Sequence, residues 1–522
     1  MTDVSAESGV TFVARTADPP VFIPEAKGGG VALFDQDADG RLDLLVVAGS
    51  TVEREARGEP GFGLAFYRGL GGARFRDATA EVGLDVPFGW LTAPVVGDAD
   101  GDGRPDLLLA SFRGLRLFRN DGARFVEAVG ALPSAATDAG WCTSATWVDL
   151  DGDGALDLFA CRYLAFDPRN PPRDGAGRTC RRRGKPVMCG PRGLEPLHDL
   201  VLRNRGDGTF EDASRAWGVA DVPAAYGLGV VASDVDRDGD ADVYVANDAT
   251  PNHLWRNDGG RFVEIAGASG VAWSADGAPE AGMGVDAADL DGDGIEDFFV
   301  TNFETEPNDV YLSAAGLGWF EASMRVKTAA IDRPLVGWGC GIRDFDGDGR
   351  LDLFVANGHV YAGLDDATWA QPCTLHLGRP DGAFARFAGA DAAALDAPRA
   401  GRPVAFGDLD DDGDFDAVVS TVNGPPAVLR ADLPPGRWYG ASVTAAPGRG
   451  AALGARATFE IGAVRREATV RAQSGFQATH DVRLLFRAPG VEGAARFTAV
   501  LNGRRGSVEA RPDAYVALEL PR

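Results

Sequence analysis

Several of the usual handles for chemistry are scarce in this chain. It carries six cysteines and five histidines over 522 residues, and neither a cofactor fingerprint nor a nucleophile motif can be read in it. The cysteine number leaves the redox compartment open. No window resembles a transmembrane helix, which argues against membrane insertion. No basic, apolar leader precedes the first apolar run, Val10-Thr-Phe-Val13. The expectation is therefore a cytoplasmic protein if Met1 is the native start, and a secreted or periplasmic one if a signal was removed. Basic residues are also in deficit. Against 77 Asp and Glu stand 51 Lys and Arg, a formal net charge of −26, and such a surface repels phosphates, so nucleic acid is not the expected partner.

Aspartate, in contrast, is abundant and regularly spaced. The pattern D-x-D-x-D-G-x-x-D occurs seven times. Its first four copies supply Asp35, Asp37, Asp39 and Asp43; Asp98, Asp100, Asp102 and Asp106; Asp149, Asp151, Asp153 and Asp157; and Asp234, Asp236, Asp238 and Asp242. The other three supply Asp289, Asp291, Asp293 and Asp297; Asp344, Asp346, Asp348 and Asp352; and Asp408, Asp410, Asp412 and Asp416. A glycine at the sixth position lets the chain turn sharply and aim several oxygens at one point. Oxygen-only ligation selects a hard cation, and this many flexible carboxylates favours Ca²⁺ over Mg²⁺. No copy contains His or Cys, which argues against zinc. The expectation is structural Ca²⁺ at up to seven sites, reducing the negative charge that the loops concentrate.

Units of roughly 50 to 60 residues repeated seven times are a propeller or array signature. A Gly-rich run leads into each loop, as in Gly28-Gly-Gly-Val-Ala-Leu-Phe34, and an apolar run follows, as in Leu351-Asp-Leu-Phe-Val355. Hairpin turns such as Asn120-Asp-Gly122 and Gly206-Asp-Gly208 then separate two further strands. Four strands per unit and seven units predict an all-β, seven-bladed β-propeller over residues 1–431 with calcium-binding loops, the run Val10–Val13 completing the last blade. Recurrent glycines (Gly28/Gly30, Gly227/Gly229, Gly282/Gly284, Gly337/Gly339) read as strands crowding the axis, hence a narrow channel. After the linker Asp432-Leu-Pro-Pro-Gly436, residues 437–522 show about seven short alternating runs and no acidic loop, which suggests a small β-sandwich.

The loops joining first and second strands share one face, and the opposite face is where the sequence stops repeating. Its longest insertion, about 161–200, carries Arg162, Arg169, Arg173, Arg178, Arg181, Arg182, Arg183, Lys185 and Arg192 against Asp167, Asp174 and Glu195. It is either an anion or partner site, or it neutralises neighbouring acidic loops. Cys180 and Cys189 either form a disulfide there or are free thiols. The remaining cysteines read as small core residues. Trp90, Trp141 and Tyr226 each stand eight residues before the first aspartate of their loop, with Trp338 at six. These aromatics are either packing or a stacking platform for a flat or carbohydrate ligand. Adjacent connections supply Asp248, His253, Glu304, Glu306, His359 and Tyr361, and His359 is the candidate for proton transfer.

Taken with Cys189-Gly-Pro-Arg-Gly193, Phe354-Val-Ala-Asn-Gly-His-Val360 and Gly450-Ala-Ala-Leu-Gly-Ala-Arg456, these features resemble FG-GAP/VCBS propellers, and more closely the cartilage acidic protein family with its terminal ASPIC/UnbV segment. The tail departs from that family at Gln473-Ser-Gly-Phe-Gln-Ala-Thr479, which only loosely matches its Gly-rich turn. The resemblance implies calcium binding and, from animal members, a secreted matrix role. From the enediyne clusters that give UnbV its name, it implies a leaderless bacterial protein of natural-product biosynthesis. Two functional readings follow. The first is a calcium-stabilised binding or adhesion module contacting a protein or glycan through the face opposite the acidic loops or through the terminal sandwich; the ligand-binding candidates in either reading are Trp90, Trp141, Tyr226, Trp338, Arg162, Asp248 and Glu304. The second is a cofactor-free enzyme that uses the aromatic mouth and its Arg, His and Glu groups to bind and protonate or deprotonate a polycyclic aromatic small molecule, in cyclisation or carbon–carbon bond formation, with calcium structural. The binding reading ranks first.

Overall fold

Short, largely apolar runs flank every acidic loop and are buried on both faces, and the computed structural model pairs these runs in chain order. It describes residues 1–172, 180–182, 184–314, 318–362, 369–434, 436–446 and 448–521. In the first unit, Val31–Phe34, Asp43–Val47, Leu64–Gly71 and Arg74–Asp77 form an antiparallel meander. The same order recurs outward from Leu91–Gly97, Cys142–Val148, Gly227–Ser233, Val285–Ala288, Gly337–Arg343 and Gly401–Gly407. Among the described residues this makes seven such units. Their innermost strands pack in sequence, and the last packs against the first. The chain is an all-β propeller.

The strand that closes the ring is not Val10–Val13. Thr2–Asp3 pairs antiparallel with Leu429–Arg430. The edge offered by Ala427–Arg430 is only four residues long, so a short strand satisfies it. A helical turn at Ser5–Ser8 then ends on Gly9 at φ +80° and redirects the chain toward the first unit. There Val10 joins the core, and the backbone amides of Thr11 and Phe12 donate to the Tyr67 hydroxyl at 3.1 and 2.8 Å.

The tail forms two further sheets. Trp438–Thr444, Leu484–Arg487 and Tyr515–Glu519 make one, and Arg456–Ile461, Val464–Thr469, Ala495–Leu501 and Arg504–Ala510 make the other. They pack face to face through Phe459, whose ring lies 5.1 Å from Tyr439, 5.3 Å from Phe486 and 5.1 Å from Phe497. Between these sheets the chain makes an excursion. The hairpin Gln473–Ser474 and Ala478–Thr479 enters the propeller axis, where Ala478 and Thr479 add in parallel to Val31 and Ala32. Gly475 bridges to Val285, and Phe476, fully buried, reaches to within 5.0 Å of the Trp338 ring. The narrow channel is thus filled by the chain itself. The inner glycines are needed for both neighbours: a Cβ on Gly229 would fall 2.5 Å from the Met283 carbonyl and 2.8 Å from that of Gly475.

Candidate metal centres and the channel mouth

Every acidic loop is made of two left-handed turns. The sixth-position glycines, Gly40 through Gly413, have φ between +87° and +101°, where a Cβ would be strained. The fourth positions are also left-handed, φ +58° to +81°, although three of them are Ala38, Arg237 and Asp411. Side chains hold these turns. In the sixth loop Asp344 Oδ2 accepts from the Gly349 amide at 2.9 Å, and Asp348 Oδ1 accepts from the Arg350 amide at 2.9 Å. The ninth aspartate is the most constrained. In all seven loops one of its oxygens accepts from the amide after the first aspartate, and the other accepts from an amide in the third strand or, for Ala431 in the seventh loop, just past its end.

Seven groups of three acidic side chains converge among the described residues, each with oxygens within 4.8 Å of one another. Five of them lie in the first five loops, for example Asp35/Asp37/Asp39 and Asp149/Asp151/Asp157. Burial first, and then neighbouring carboxylates, push Asp106 up to about 7 and Asp157, Asp242 and Asp297 up to about 8. Oδ1 of Asp149, Asp234, Asp344 and Asp410 is enclosed without a hydrogen-bond partner. Crowded carboxylates with orphaned oxygens, and no nitrogen or sulfur donor among them, fit a hard divalent cation. In the first three units an arginine of the third strand also lies against the cluster: Arg68 is 3.0 Å from Asp37, Arg119 contacts Asp100, and Arg203 is 3.4 Å from Asp153.

The tail sheets cover this face. The Gly450 amide donates to Asp98 at 2.8 Å, Asn502 Nδ2 to Asp149 at 2.6 Å, and the Tyr515 hydroxyl to Asp408 at 2.9 Å. Arg466 and Arg487 cap the Gly349 and Gly413 carbonyls, both at 2.9 Å. First-position aspartates of three loops are therefore bonded to the tail, which also delivers the channel hairpin.

At the other mouth the expected aromatics are brought together but closed off. Trp90, Trp141, Tyr226 and Trp338 are all at most 5% exposed. Trp90 stacks on Phe112 at 5.2 Å, Trp141 lies 4.9 Å from Tyr163, and Tyr163 lies 5.9 Å from Tyr226. Together with Phe476 they form one core cluster. Their rings pack against one another, as the packing alternative expects, and expose little surface to a stacked ligand. Arg162 is likewise held by chain carbonyls, donating to Ala139 O at 2.8 Å and to His198 O.

The polar residues fall in two adjoining groups. Asp248 accepts from Tyr163 and from the buried Lys27 ammonium at 3.4 Å, and that ammonium also lies over the Tyr163 and Trp338 rings. Burial lowers the Lys27 pKa, opposed by Asp248. Glu304 pairs with Arg182 and lies 3.3 Å from His359 Nε2. His359 is fully buried, and its Nδ1 accepts from the Tyr361 amide at 3.1 Å. Arg402, also fully buried, donates to the carbonyls of Ala26, Gly358, Gly401 and His359. Lys27 and Arg402 escape a motif search, although Lys27 directly precedes the first Gly-rich run. The basic insertion crosses this mouth. A Cys180–Cys189 disulfide closes its hairpin, and Arg192 reaches the Ala249 carbonyl at 3.3 Å. Arg173, Asp174, Arg178 and Arg183 lie outside the described residues.

A family model described as FG-GAP-like repeat matches residues 35–109, 98–160, 198–245, 234–300 and 344–419. Human cartilage acidic protein 1 is 26% identical over 419 residues, covering 68% of this chain and 60% of the relative. The mouse protein is 26% identical over 428 residues, covering 68% and 62%. The chain thus spans about 60% of the length of these curated relatives. Among solved structures, an Agrocybe aegerita lectin described as recognising non-reducing terminal N-acetylglucosamine superposes with a TM-score of 0.42 at 17% identity, over 68% of this chain and 79% of its own.

Proposed function

Because the chain belongs to the FG-GAP-like repeat family, we propose that it is a calcium-stabilised propeller that binds a macromolecular partner, a protein or a glycan, through its outer surface. The observation that carries this reading is the filled axis: Phe476 and the aromatic cluster occupy the place where a small ligand would sit. Recognition then falls to exposed surfaces. The tail sheets cover the acidic-loop face, so the opposite face is the one offered, and there the disulfide-closed hairpin presents Arg181 and Lys185 on a chain that is otherwise strongly acidic. Electrostatic complementarity makes an anionic protein segment or an acidic glycan the fitting partner.

Calcium has a supporting role in this reading. Converging carboxylates with orphaned oxygens would repel one another without a counter-charge. The ions would fix the loops on which the tail sheets rest. The alternative reading, an enzyme for a polycyclic aromatic substrate, is less well supported by a mouth whose aromatic rings are buried against one another.

The test is a binding screen of the immobilised protein against acidic glycans, acidic proteins and polycyclic aromatics, in calcium and after ion removal. A macromolecule that binds in calcium, and binds more weakly to Arg181→Glu, is the expected result. Binding confined to a polycyclic aromatic would sink the proposal.

A further inference from the structure

A second acidic constellation lies away from the repeat loops. Asp309 opens the third strand of the fifth unit, and Glu280 stands in the segment leading to that unit's innermost strand. Both belong to the face opposite the D-x-D loops. Their carboxyl groups lie within hydrogen-bonding reach of each other. The Asn302 Nδ2 spans them, donating to Glu280 Oε2 at 2.8 Å and to Asp309 Oδ2 at 3.1 Å, and the Tyr311 hydroxyl donates to the same Asp309 oxygen at 3.0 Å. Asp309 Oδ1 is enclosed and has no partner, and neither has Oδ1 of Asn302; both residues are 1% exposed. Glu306 and Glu321 add negative charge nearby. Among the described residues no lysine or arginine forms an ion pair with Glu280, Asp309 or Glu321.

We propose that Glu280 and Asp309 hold a hard divalent cation on the rim opposite the repeat loops, with Asn302 and Tyr311 fixing the two carboxylates. Buried carboxylates in contact need a counter-charge. A shared proton relieves only one negative charge of the pair, and among the described neighbours only Glu306 has a basic side chain, Arg192, acting on it. A cation uses the orphaned Asp309 oxygen, finds only oxygen donors around it, and enters past Glu280, which is partly exposed. The fold itself does not require a carboxylate here. In the fourth unit the equivalent place, after Asn252 and paired with Val245, is taken by His253; in the fifth, after Asn308 and paired with Val300, it is taken by Asp309. The acid is specific to this unit.

The experiment counts ions. Wild-type protein, Glu280→Gln, Asp309→Asn and the loop variant Asp346→Ala are dialysed to equilibrium against Ca²⁺, and bound calcium per chain is measured by elemental mass spectrometry. Glu280→Gln and Asp309→Asn should each bind one ion fewer than wild type, and a double variant with Asp346→Ala two fewer. Crystals soaked in Mn²⁺ should show an anomalous peak between Glu280 and Asp309. An unchanged count in Glu280→Gln, with no peak beside Asp309, overturns the proposal and assigns the pair a shared proton. Should Asp309→Asn fail to fold, the partly exposed Glu280 still decides the matter. Asp346→Ala reports on the loops alone, so failure of loop binding and failure of rim binding are told apart.

Discussion

At Asp352, Oδ2 accepts from the Phe345 amide and Oδ1 from the Gly378 amide, both at 2.8 Å. One side chain thereby ties its own loop to the third strand, with or without an ion. Asp346, three places into the same loop, has no such bond to the neighbouring strand. Removing the two carboxylates should therefore have different effects. Asp352→Ala leaves two amides in a buried site without acceptors and should cost about 2–4 kcal/mol even in ion-free buffer. Asp346→Ala should remove one ion, leaving stability near wild type in ion-free buffer and lowering it in calcium only by that site's contribution. Chemical denaturation in both buffers checks the pair; equal losses would mean that the ninth position is only a ligand.

The element that changes most between expectation and structure is the hairpin at Gln473–Thr479. In the sequence it stands out only as a loose match to a Gly-rich turn; in the fold it is buried because the channel wall supplies partners. Gln473 Nε2 donates to the Val96 carbonyl at 2.8 Å, Thr479 Oγ1 donates to that of Pro94 at 2.9 Å, and the Gln477 amide donates to Ser144 Oγ at 3.1 Å. Those partners lie more than 300 residues away in sequence, and no local pattern encodes them. The repeat loops and the tail strands were legible because each follows a short period: nine residues with fixed aspartates, or alternation over five to seven residues. The aromatic register of Trp90, Trp141 and Tyr226 was legible as a cluster, but Phe476, which fills the space beside it, comes from a segment with no periodic signal. Phe476→Ala should cost about 3–5 kcal/mol through the cavity it opens. It should also lower the melting temperature of propeller and tail together, followed by tryptophan fluorescence and circular dichroism. Separate transitions would mean that the hairpin does not couple the two.

On the scale of the whole molecule, charge and ions act together. Without ions, burial and mutual repulsion raise Asp106, Asp157, Asp242, Asp297 and Asp352 to about 7 or 8 from 3.8. Such groups bind protons more tightly folded than unfolded. Their contribution is therefore fully present below about pH 4 and is lost as pH rises toward 8. Divalent ions displace those protons, so calcium should stabilise more at higher pH. The gap in melting temperature between calcium-replete and ion-free protein should widen from about pH 5 to about pH 8, as scanning calorimetry would show. A gap independent of pH would argue against carboxylate ligation in the loops.

Closure of the ring by Thr2–Asp3 on Leu429–Arg430 also sets a timetable for synthesis. The strand Thr2–Asp3 must wait for partners made more than 400 residues later, and the axial hairpin is translated later still. Through most of translation the nascent arc carries an unpaired edge at its growing end and an open bore. Both stay exposed to chaperones or to another nascent chain until the axial hairpin emerges.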